Sequence, residues 1–74
     1  MISFEMTDAT TYDQLQIYLD QQGLTDLLAQ LKFLSDRRTD HVHLMAESWG
    51  GSHLREEPIS VEAVPIRHVK VCLV

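Results

Sequence analysis

The sequence predicts a small two-layer α+β domain: a three-stranded, mainly antiparallel sheet with one or two helices on one face. Three observations predict it. Residues 2–6, 41–48 and 66–74 alternate apolar with polar side chains, the period of a half-buried strand. From Tyr12 to Ser35 the apolar residues recur at helical spacing instead. The chain has 74 residues, enough for a single domain over 1–74 with one thin core.

In the first strand Ile2, Phe4 and Met6 fall on one face, with Ser3 and Glu5 on the other. Thr7 to Thr11 is polar. Thr10 or Thr11 suits a helix N-cap, with Asp13 or Gln14 completing a capping box. Beyond it Tyr12, Leu15, Leu19, Leu27, Leu31 and Leu34 share a helical face with Gly23. Two readings follow. One long helix runs to about Ser35, with Gly23 allowing close approach to the sheet. Alternatively, a first helix stops at Gln22 with Gly23 as its C′ residue, and a second starts after Thr25. Leu24, Leu27, Leu28, Leu31 and Leu34 form a stripe of their own, which favours the break.

Ser35 to Asp40 reads as a loop containing Arg37 and Arg38. In the second strand, about 41–48, Val42, Leu44 and Ala46 face the core. His41, His43, Met45, Glu47 and Trp49 fall on the opposite face. Trp49 to Ser52 is a glycine turn, and Leu54 to Ser60, acidic and containing Pro58, is a loop or irregular edge. In the third strand, Ile66 to Val74, Val69, Val71 and Leu73 face one way and His68, Lys70 and Cys72 the other. The helical layer is expected to cover Phe4, Val42, Leu44, Val69 and Val71. That leaves a bare sheet face of His41, His43, Met45, His68, Lys70 and Cys72 as a natural partner surface.

The net charge is −5. Nucleic-acid binding, which needs a basic patch to neutralise phosphates, is not expected. A basic protein partner suits this balance, as does simple solubility. The single cysteine, Cys72, permits no intramolecular disulfide and fits a reducing compartment. No apolar run approaches the ~20 residues of a membrane span, and Met1 to Met6 lacks the basic region and apolar core of a secretion signal. The expectation is a cytoplasmic protein with no membrane partner.

His41-x-His43 places two imidazoles on one strand face, with His68 and Glu47 as further zinc ligands. The spacing assures only two ligands, so no metal and no cofactor is expected. An acid–base pair of His41 and His43 would need a pocket and a charge stabiliser, for which Lys70 is the candidate. The acidic balance opposes an anionic substrate, and the chain is not read as an enzyme. His68 and Cys72 are too far apart along one strand for direct thiol activation. No phosphate-loop pattern surrounds Gly50 and Gly51. Trp49 is either a core plug or an exposed binding anchor. The candidate partner-binding set is His41, His43, Met45, Glu47, Trp49, Glu56 and Glu57.

The run His41-Val-His-Leu-Met-Ala-Glu-Ser-Trp-Gly-Gly-Ser-His-Leu54, followed by His68-Val-Lys-Val71, resembles the immunity protein 32 family. The likeness extends back through the leucine stripe and spans roughly residues 24–72. It departs at His53, which stands where an acidic residue is common. The resemblance implies a small α+β protein of a bacterial polymorphic toxin system. It would bind and neutralise a cognate protein toxin, often a nuclease, without catalysis. The other classes consistent with the residues are a homo-oligomeric interaction module and a His-based metal-binding protein or enzyme.

Overall fold

The computed structural model describes residues 1–7 and 14–74. The chain runs β1 (Ile2–Met6), β2 (Leu15–Leu19), α1 (Gln21–Ser35), β3 (His41–Met45), a 3-10 turn (Glu47–Trp49), β4 (Val64–Ile66) and β5 (His68–Cys72). This is the expected small two-layer α+β class. The strands form an antiparallel three-stranded sheet in the order β2-β1-β4 and an antiparallel pair, β3-β5.

The two sheets are linked on both sides. β4 and β5 are continuous chain broken only at Arg67, whose carbonyl accepts a hydrogen bond from the Ala46 N–H. Leu54 closes the other side, with parallel bridges to both Ile2 and Ala46. Ile2, Phe4, Leu44, Ala46 and Leu54 make the core, and Leu19, Leu27, Ile66 and Val69 pack against it.

Two expectations for residues 12–35 are corrected. Residues 15–19 are a strand, not helix. Leu15, Ile17 and Leu19 alternate with Gln16 and Tyr18, and the i, i+4 spacing of Leu15 and Leu19 fits both periods. The helix does not break at Gly23. It begins at Gln21, just before that glycine: Asp20 is the N-cap, and its carboxylate accepts the Gly23 N–H at 2.7 Å. Gly23 is needed for close approach, because a Cβ would lie 1.9 Å from the Met1 carbonyl oxygen. The expected caps at Thr10 and Thr11, the start at Tyr12 and the Asp13 arm of the capping box lie outside the described residues. Within α1 only Gly23 and Leu34 are buried, with Leu27 partly so, while Leu24, Leu28 and Leu31 turn outward.

Ser3 and Glu5, on the other face of β1, are also buried. Glu5 accepts hydrogen bonds from the Ser3 hydroxyl, the Ile59 N–H at 2.6 Å and the Ser60 N–H at 3.0 Å. The Tyr18 hydroxyl bonds to Ser60 from the neighbouring strand. The acidic loop is thereby fastened across the outer face of the sheet. Burial by itself raises the Glu5 pKa, but the hydrogen bonds together outweigh it and hold the pKa below the ordinary carboxylate value.

Glu5→Ala is expected to destabilise the fold by on the order of 3 kcal/mol, measured by urea unfolding, because it leaves two partly buried N–H groups without their acceptor and empties a buried site. Because the folded pKa is depressed, the Glu5 contribution is full above the unfolded pKa and is lost as pH falls through the folded one. Glu5→Gln should flatten that acid limb. Gly23→Ala should also destabilise, by about 1–3 kcal/mol, since a methyl group there must displace backbone.

Candidate partner-binding face

The β3–β5 register builds this face. His41 lies opposite Cys72, His43 opposite Lys70, and Met45 opposite His68, while Val42 and Leu44 meet Val71 and Val69 on the other side. Val42 is 8% exposed and Leu44 0%, whereas His41, His43 and Met45 are half-buried. The faces therefore divide as the alternation predicts.

Four rings form a row along the face. His41 meets His43 edge-on with centroids 5.0 Å apart, His43 stacks on His68 at 5.1 Å, and Trp49 lies tilted on His68 at 5.0 Å. At one end Asp40 accepts from His41 Nδ1 at 2.6 Å, which fixes the proton on that nitrogen. In the middle, His43 Nδ1 and His68 Nε2 are 2.9 Å apart. One of these nitrogens must donate and the other accept, so at least one of the two rings is neutral. Desolvation lowers the His43 pKa most, and His41, His68 and Lys70 lower it further as like charges.

Trp49 is not a core plug, because it is 58% exposed. It is nevertheless held firmly. The Ala46 carbonyl, on a fully buried residue, accepts from the Trp49 and Gly51 N–H groups, and Gly50 closes the 3-10 turn at φ +89°. Glu56 latches the same turn. Its carboxylate accepts the Ser48 N–H and pairs with Arg67 Nε at 3.0 Å. Those contacts, the Ser48 bonds first, lower its pKa.

The expected set is thus only partly brought together. His41, His43, Met45 and Trp49 share the face, and Glu56 supports it from the rim. The strand ends at Met45, earlier than the expected 48, so Glu47 leaves the β3 alternation and stands exposed at the start of the 3-10 turn. Glu57 is exposed in the acidic loop, where its carbonyl accepts from Arg55 Nε. His68 belongs in the row and is missing from the expected set, although its alternation with Val69 places it on this face. Arg67 could not be found that way, since it sits at the break between strands.

Among the described residues, no three His, Cys, Asp or Glu side chains are placed to hold a metal ion. No helix there is long and apolar enough to cross a membrane. A shallow hollow of about 210 Å³ is lined by Ala29, Lys32, Phe33, Asp36 and Arg38 and includes none of the row. Compared with family models, curated proteins and solved structures, the chain finds no match.

His43 is expected to titrate below an ordinary imidazole in a histidine NMR titration, and Lys70→Ala should raise its midpoint by removing a like charge. Since this folded pKa is depressed, the unfolded chain binds the proton more readily. Stability should therefore fall as pH drops from the unfolded pKa through the folded one, and His43→Gln should remove that slope.

Proposed function

We propose that this chain is an immunity protein, a cytoplasmic, non-catalytic binder that neutralises a cognate bacterial toxin through the histidine–tryptophan face. The resemblance of residues 41–54 and 68–71 supplies the class. The observation that carries the surface is Trp49, whose indole is mostly exposed yet fixed by a hydrogen-bonded turn and by His68. Such a side chain offers a large amphipathic contact with little freedom left to lose on binding. Met45, opposite His68 on β3, adds an adaptable thioether contact.

The charges divide into two roles under this reading. Glu56 is engaged with Ser48 and Arg67, so it positions the indole and does not meet the partner as a bare charge. Glu47 and Glu57 are exposed and supply the acidic rim that draws in a basic toxin. The face itself carries Lys70 and imidazoles, so its centre is suited to aromatic and acidic groups of the partner, with the basic ones at the rim.

The test is co-purification and binding with the toxin encoded beside this chain. Trp49→Ala is expected to weaken binding by about 2 kcal/mol or more, some thirtyfold, with an unchanged circular dichroism spectrum. Glu47→Lys should slow association, most visibly at low salt. Full protection by both folded variants would discard this surface. Absence of binding by the wild type to any neighbouring toxin would discard the immunity reading.

A further inference from the structure

We propose that the outer edge of β2 is a self-association surface: it pairs antiparallel with the same edge of a second copy about a two-fold axis at Ile17. The inference is independent of the histidine face, which lies on the other strand pair.

β2 is an edge strand. Among the described residues, β1 pairs with one side of it and no strand pairs with the other. The backbone phase on the open side follows from two bonds. The Asp20 N–H donates to the Met1 carbonyl, directly across the β1–β2 ladder, and the Ile2 carbonyl points away to accept from Arg55. Antiparallel partners alternate between bonded and non-bonded pairs. In β2, therefore, Gln16 and Tyr18 bond toward β1, and Leu15, Ile17 and Leu19 present their N–H and C=O groups outward.

That edge lacks the usual protection against pairing. Leu15–Leu19 contains no charge, proline or glycine, and its five-residue register with β1 has no bulge. The other edges are different. β4 has only three residues and includes Pro65, and β5 carries Lys70. The outer edge of β3 is met at its end by residues 53 and 54, whose N–H groups donate to the Met45 carbonyl.

The sequence of the edge fits its own copy. With the axis at Ile17, Leu15 faces the second copy's Leu19, Ile17 faces Ile17, and Gln16 faces Tyr18. The three outward-pointing residues form bonded pairs in this register, each both donating and accepting. Leu15 and Ile17, 49% and 48% exposed, would meet apolar neighbours on one sheet face. The polar pair, Gln16 and Tyr18, already hydrogen-bonds within the chain at 2.7 Å and falls on the other face. The occupant of this edge is thus a second copy of the chain, joined into one continuous sheet.

Sedimentation velocity of the full chain over a range of concentrations is the first measurement. The wild type is expected to reach twice the chain mass, and Ile17→Lys to remain monomeric with an unchanged circular dichroism spectrum. The second measurement reads the register. In a Cys72→Ser background, Ile17→Cys should form a disulfide-linked dimer under mild oxidation, since bonded antiparallel partners lie about 5.5 Å apart at Cα, within disulfide reach. Gln16→Cys, offset from its own copy, should not. A wild type that stays monomeric at every concentration overturns the proposal. So does a dimer that survives in folded Ile17→Lys, or one that is lost only in Trp49→Ala and so uses the histidine face.

Discussion

The ionised carboxylate of Glu5 sets the constraint on which the rest of the outer surface depends. It is fully buried on the central strand of the larger sheet, where an unpaired charge would be ruinous. Besides the Ser3 hydroxyl, its partners are the backbone N–H groups of Ile59 and Ser60, which tie it to one path of the acidic loop. That path lies across the face of β1 opposite the helix. One charge thus converts a bare sheet face into a covered one and leads the returning chain into β4.

The position of the histidine row follows from that return. β4 pairs with β1, the chain turns at Arg67, and β5 then pairs with β3. The turn carries His68 past the end of one ladder and onto the next, where it meets His43 and Trp49. Glu56 spans the same junction, holding Arg67 with one oxygen and the Ser48 N–H with the other. The loop fastened by Glu5 and the turn carrying the indole therefore lie on one continuous stretch of chain. A disturbance of either is expected to register in the other.

The division of β3 and β5 into core and bare faces was legible because a period of two needs only the strand itself. Val42 and Leu44 went inward, and the imidazoles and Met45 outward, as the alternation requires. The nature of residues 15–19 was ambiguous for a local reason. Leu15, Ile17 and Leu19 satisfy the strand period, while Leu15 and Leu19 satisfy the helical one. Asp20, followed three residues later by a buried glycine, was the cue that the helix starts after them. The burial of Ser3 and Glu5 was not legible at all. The partners that make it affordable are Ile59 and Ser60, more than fifty residues away along the chain. Nor does any local pattern mark Leu54, which is buried beside two isolated bridges, to Ile2 and to Ala46. The row shows the same limit: its members were readable singly, but the meeting of Trp49 with His68 depends on how β5 docks.

The two proposed surfaces make different demands on the same fold. The β2 edge is apolar, self-matched and dependent on backbone hydrogen bonds, so salt and pH should affect it little. The histidine face is half-exposed, titratable and rimmed by carboxylates, so its association should respond to both. They also sit on different sheets, one on β2 and the other on β3 and β5. A pair of chains joined at β2 would therefore present two histidine faces at once. Against a partner with two copies of its own contact site, the second engagement becomes intramolecular, and modest affinity at each face yields much tighter capture. Against a partner with one site, joining at β2 changes stoichiometry alone. The binding ratio and the loss of avidity in Ile17→Lys together distinguish those cases without any change to the residues that touch the partner.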